Sequence, residues 1–143
     1  MLQSILLAQI FTTFFMTGLI WLVQVVHYPL MADVGIDFFV DYEAKHTRSI
    51  TFVVLPIMLI ELGTAALLVV MPSDFSKVWL IVAFGLLLLI WASTFFLQVP
   101  LHGELSQKFD AANHQKLVST NWIRTLLWSA RSGIWLILLL PKL

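Results

Sequence analysis

Four long runs of apolar residues, broken by short polar stretches, dominate the chain; they cover about residues 2–27, 49–71, 77–101 and 121–140. Each is near the ~20 residues that a helix needs to cross a hydrocarbon core of roughly 30 Å. The pattern predicts an all-α protein, an integral membrane four-helix bundle forming one domain. Pro29, Pro72, Pro100 and Pro141 mark the ends of the runs, and Pro56 inside the second is expected to kink it. The first run lacks the basic flank and small-residue cleavage site of a signal peptide and is expected to be retained. One glycine lies inside each run (Gly18, Gly63, Gly85 and Gly133), and small residues of this kind predict close helix packing in lipid. No GxxxG pair and no internal repeat is present.

The two long connections are not uniformly polar. Ile36, Phe38, Phe39, Val40 and Tyr42 sit among Asp33, Asp37 and Asp41, which predicts an interfacial segment leading into the second helix. Residues 103–120 read as a short amphipathic helix, with Leu105, Phe109 and Leu117 toward the membrane and His114 in water. These connections hold Lys45, Arg48, Lys108 and Lys116, against Lys77 and Lys142 on the other side. The excess of basic residues places both long loops in the cytoplasm and both termini outside. The compact chain without a processing signal suggests a bacterial-type plasma membrane.

Composition narrows the function classes. Of 143 residues, 60% are hydrophobic and 11% charged, with eight basic and eight acidic side chains and no cysteine. A soluble domain carries roughly a quarter charged residues. A nucleic-acid partner is excluded for want of a basic surface, and thiolate chemistry for want of cysteine. The expected partners are the lipid bilayer, a small apolar substrate and further copies of the chain.

With so few polar residues, their phase on each helix becomes informative. At about 100° per residue, Gln9, Thr13, Gln24 and His27 fall within roughly 60° of one another on the first helix. Glu43, His46 and Glu61 do the same on the second, although Ser49 falls outside that stripe and Ile50 inside it. Thr94, Gln98 and His102 follow at four-residue steps on the third helix, and Asn121, Arg124, Trp128 and Arg131 make one stripe on the fourth. These stripes predict polar faces meeting inside the bundle. Glu61 and Arg131 lie at matching depth, roughly 15 Å from the loop side. A lone charge there costs about 3 kcal/mol, so the two are expected to form an ion pair, either fixing register or anchoring chemistry.

A second layer lies toward the loops, where Gln24, His27, Gln98 and His102 end two helices and Glu43, His46, Asn121 and Arg124 begin the others. Three imidazoles and a carboxylate suit one divalent zinc, iron or copper ion, giving His27, Glu43, His46 and His102 as candidate ligands. Glu43 and His46 at i, i+3 are only half of a di-iron carboxylate pattern, so a dinuclear site is not expected. The alternative is a metal-free pocket with His46 or His102 as general base and Asn121 or Arg124 steadying an anion. Trp21, Trp79 and Trp122 fit interfacial belts, whereas Trp91 and Trp128 point with the polar stripes and are candidates to wall a flat ligand.

The run Pro100-Leu101-His102, followed by Asn121-Trp122-Ile123-Arg124-Thr125, resembles the carboxy-terminal half of the anthrone-oxygenase-like family of small four-helix membrane proteins. Tyr28-Pro29-Leu30 is loosely similar to the end of that family's first span. The resemblance implies a four-span fold, with Asn121 and Arg124 in the active-site layer and, in some members, oxidation of anthrones by dioxygen without a prosthetic group. His102 departs from the asparagine expected there, pointing to a metal-using variant. Together these readings predict a membrane-embedded oxidoreductase of the oxygenase type, acting on an aromatic or lipid-like substrate. The runner-up is a small transporter or complex subunit with a structural polar seam. The lack of a repeat counts against the transporter, and the lack of a ring of charges against a channel.

Overall fold

The computed structural model describes residues 1–140; Pro141 and Lys142, used above to mark a helix end and a charge bias, lie outside the described residues. Nearly all of the described chain is helical, in four long rods: α1 (Leu2–Val34), α2 (Ile36–Val70), α3 (Lys77–Leu105) and α4 (Ala111–Leu139). The first three are long and apolar enough to cross a membrane. α4 is of similar length but less apolar, because it carries Asn121, Arg124 and Arg131.

α1 and α3 share an internal device. Each widens into a π turn, Val23–His27 in α1 and Thr94–Gln98 in α3, and each π turn is followed after one residue by a proline, Pro29 or Pro100. Proline has no N–H to donate, and its ring clashes with the carbonyl four residues back. Widening the preceding turn relieves that clash without ending the helix, and π bulges of this kind gather at functional sites. Both prolines therefore sit inside helices instead of at their ends. α2 likewise runs unbroken through Pro56. The break between α1 and α2 falls at Gly35, whose φ of +83° is a left-handed conformation that a side chain disfavours.

The connections differ from the expected interfacial helices. Residues 36–42 are the first turns of α2 itself, and α3 continues to Leu105. α4 starts ten residues before the expected span, at Ala111, after Asp110 caps it by accepting from the Asn113 N–H at 2.8 Å. No proline or glycine interrupts the helix before Gly133. Leu105 and Leu117, expected against lipid, are fully buried in the core with Met31 and Phe39. Phe109 closes edge-on over Phe39, with ring centroids 4.6 Å apart. The four interior glycines are not contact points, since an added Cβ would meet nothing within 4 Å at any of them.

α1 packs on α2 and α4, α3 packs on α4, and α2 packs on α3. The packing is inverted relative to a water-soluble protein. Gln9, Thr13, Gln24, Glu43, Glu61, Gln98, Asn121, Arg124 and Arg131 are buried. Leu7, Phe11, Phe52, Leu59, Ile81, Phe96, Leu126 and Ile137 face outward. Ser49 is exposed while Ile50 turns inward, as their phase on α2 requires.

Candidate functional site

The deeper of two polar layers centres on Glu61 and Arg131, both fully buried, with Arg131 Nη2 3.0 Å from Glu61 Oε1. Thr13 donates to the same carboxylate oxygen at 2.7 Å and Trp128 Nε1 donates to the other at 3.1 Å. Gln9 donates to Thr13 and accepts from Thr64, while Arg131 also donates to the Ala83 carbonyl. Every rod thus contributes to neutralising one buried pair. A buried ion pair with its remaining lone pairs engaged is held in place strongly, because loss of either partner strands a charge.

The second layer is assembled where the π turns lie. Glu43, on α2 and fully buried, meets His102 on α3 with Oε1 and Nδ1 2.5 Å apart. With Glu43 ionised and His102 neutral, Nδ1 carries the hydrogen and Nε2 is left as an acceptor. Nε2 lies 2.8 Å from the hydroxyl of Tyr28, which therefore donates to it. The Tyr28 oxygen in turn accepts from Arg124 Nη2 at 3.4 Å. Arg124 is held by the Asn121 side-chain oxygen, which accepts from Nε at 2.9 Å and from Nη2 at 2.5 Å. Asn121 is oriented by donating to Gln24 at 2.8 Å. A directed chain runs Arg124, Tyr28, His102, Glu43.

Tyr28 is the member that sequence reasoning missed. It entered only as part of a loosely similar tripeptide, yet it is buried and central. Its place is fixed by the α1 π turn immediately before it and by His114, whose Nε2 lies 2.8 Å from the Tyr28 carbonyl oxygen. His114, expected in water, is buried in this role. The available signal was a tyrosine just before a proline near the loop-side end of an apolar run, one residue after His27.

The expected metal set is divided. His27 Nε2 faces His46 Nδ1 at 3.0 Å, so one imidazole donates to the other. His102 and Glu43 are engaged with each other, and His102 spends its second nitrogen on Tyr28. Among the described residues, no group of three or more histidine or acidic side chains is arranged to hold a metal ion. The physical reason is pairing: Glu43 and Tyr28 engage the two ring nitrogens of His102, while His27 and His46 engage each other.

Both layers border one cavity of about 470 Å³. Its walls are largely apolar, with Met16, Ile20, Val54 and Met58 on one side and Trp91 and Trp128 among the rest. Tyr28, His46, Gln98, His102 and Arg124 line its polar part. Trp91 and Trp128, expected as a ligand wall, both face the space, although Trp128 is also tied to Glu61. Thr51 and Leu55 of α2 and Phe95 and Val99 of α3 line the cavity and are exposed, so it opens sideways between those two rods. No protein-family model, no curated protein and no solved structure matches the chain. Function therefore has to be argued from the site itself.

Proposed function

We propose that the protein is an integral membrane four-helix bundle and an oxidoreductase of the oxygenase type, acting on a small apolar substrate in the cavity between the rods. Membrane insertion is supported by the inverted packing: apolar side chains clothe the rods and polar ones fill the interior. The end that carries the α1–α2 and α3–α4 connections is assigned to the cytoplasm on the charge bias of the sequence.

The observation that carries the enzyme reading is the Tyr28–His102–Glu43 relay at the wall of an apolar cavity, beside Arg124. Such a relay moves a proton. When a weakly acidic C–H of a bound substrate approaches the Tyr28 oxygen, that oxygen takes the substrate proton as its own passes to His102 Nε2. Glu43 then faces an imidazolium, and Arg124 faces the new carbanion or enolate, so both developing charges meet an opposite one. Dioxygen is the oxidant: a methylene and one O₂ give a carbonyl and one water. The resemblance of Asn121-Trp122-Ile123-Arg124-Thr125 to the anthrone-oxygenase-like family agrees with this chemistry.

The test supplies anthrone to the purified full chain in detergent and follows oxygen uptake and anthraquinone absorbance. Turnover above the protein-free rate, lost by about 10²–10⁴-fold in Tyr28→Phe, supports the reading. Wild-type protein no faster than buffer rejects it.

A further inference from the structure

Three buried polar groups on the cavity wall lack the partner their chemistry requires. Arg124 is more than nine-tenths buried, yet among the described residues its guanidinium meets only neutral groups: Asn121, Tyr28 and Thr94. The chain's other buried arginine, Arg131, has a carboxylate at 3.0 Å. Among the described residues Trp91 Nε1 is a buried donor with no acceptor, and Gln98 Oε1 a buried acceptor with no donor. All three residues line the same cavity, and Trp91, Thr94 and Gln98 follow one another along the inner face of α3. A buried cation without an anion is costly, and so is each unpaired polar atom. One bound group satisfies the first two together: an anion with one oxygen for Arg124 and a second for the Trp91 N–H.

We infer that the cavity binds an apolar monocarboxylic acid, its carboxylate on Arg124 and Trp91 and its hydrocarbon or ring body between Met16, Met58 and Trp128. Arg124 is the one arginine or lysine on the described cavity wall, so it meets a single negative charge there; a doubly charged phosphate would bring a second that no such cation faces. The guanidinium N–H groups not taken by Asn121 give one carboxylate oxygen a charge-assisted hydrogen bond. A donor borne by the acid, such as a hydroxyl near the carboxyl group, meets Gln98 Oε1. The sideways opening between α2 and α3, lined by Leu55, Phe95 and Val99, admits such a molecule from surrounding lipid with its apolar body still covered. This inference goes beyond the proposed function and does not rest on it: the carboxylate takes the guanidinium that would otherwise meet an enolate, so the acid is a ligand that competes with that substrate for one site.

The experiment compares dodecanoate with dodecanol, which share a chain length and differ in charge, on the detergent-solubilised full chain. Native mass spectrometry counts one-to-one adducts at matched free concentrations. The expected result is about tenfold tighter binding of the acid, as one charge-assisted contact implies, with the preference abolished in Arg124→Gln and reduced in Trp91→Phe. Equal affinity for the two probes overturns the inference, as does a preference that survives Arg124→Gln. The wild-type comparison decides the matter even if Arg124→Gln fails to fold. Charge-selective binding without anthrone turnover leaves this inference standing and removes the oxygenase reading; turnover with no acid preference does the reverse.

Discussion

Glu43 on α2 and His102 on α3 meet with Oε1 and Nδ1 2.5 Å apart, the carboxylate fully buried and the imidazole facing the cavity. The contact fixes which histidine nitrogen is free to take a proton, and Tyr28 lies on that nitrogen. Glu43→Gln keeps the volume but removes the charge that stabilises the imidazolium. Turnover of anthrone is expected to fall by about 10²–10⁴-fold, with KM little changed. Stopped-flow absorbance of anthraquinone formation measures it, and wild-type turnover in this variant would remove Glu43 from the mechanism.

Tyr28 separates packing from chemistry. Its ring is buried against the core, and Tyr28→Phe preserves that contact while deleting one hydroxyl. Stability is expected to drop by only about 1 kcal/mol, the net worth of an ordinary hydrogen bond, while the relay is cut. Thermal unfolding in detergent, run beside the activity assay, checks both halves. A collapse of folding in Tyr28→Phe would show the hydroxyl to be chiefly structural.

The pair between Glu61 and Arg131 should behave as a unit. Either single change to glutamine strands a buried charge and is expected to cost about 3–5 kcal/mol. The double change is expected to lose less than the sum, by at least about 1 kcal/mol. Unfolding free energies of the four proteins form the cycle, and additive losses would contradict the coupling implied by the 3.0 Å contact.

Glycine substitutions divide by location. At Gly63 and Gly85 an added methyl meets no atom within 4 Å, so alanine is expected to be neutral or stabilising by about 0.5–1 kcal/mol. Gly35→Ala forces a side chain into φ +83° and is expected to destabilise by about 1–2 kcal/mol. Melting temperatures of the three variants give the order, and a loss at Gly63 comparable to that at Gly35 would mean that its helix face is covered by something absent from a single chain.

Much of the fold was legible because polar residues are scarce in this chain. With so few, the phase of Gln9, Thr13, Gln24, Glu61, Gln98, Asn121, Arg124 and Arg131 on their helices identifies the inner faces, and each of these side chains is buried. Helix ends were less legible. Pro29 and Pro100 read as terminators, but a π turn ahead of each lets the helix continue. The start of α4 was misplaced for a related reason: residues 111–120 are polar enough to resemble a loop, while their helical continuity depends on the Asp110 cap and on burying His114 and Leu117.

The sequence by itself determined the helical class, the inward phase of each stripe, the depth match of Glu61 with Arg131 and the crowding of His27, Glu43, His46 and His102 at one end. Those follow from periodicity, which is a property of a single helix. Only the tertiary structure decided who partners whom. It gave His102 to Glu43 and Tyr28, His27 to His46, and His114 to a backbone carbonyl, and among the described residues it set no anion directly on Arg124. These pairings depend on how the helices sit against one another, which the repeat of a single helix does not encode. The same packing decided the cavity between α2 and α3, on whose wall Tyr28, His102 and Arg124 meet.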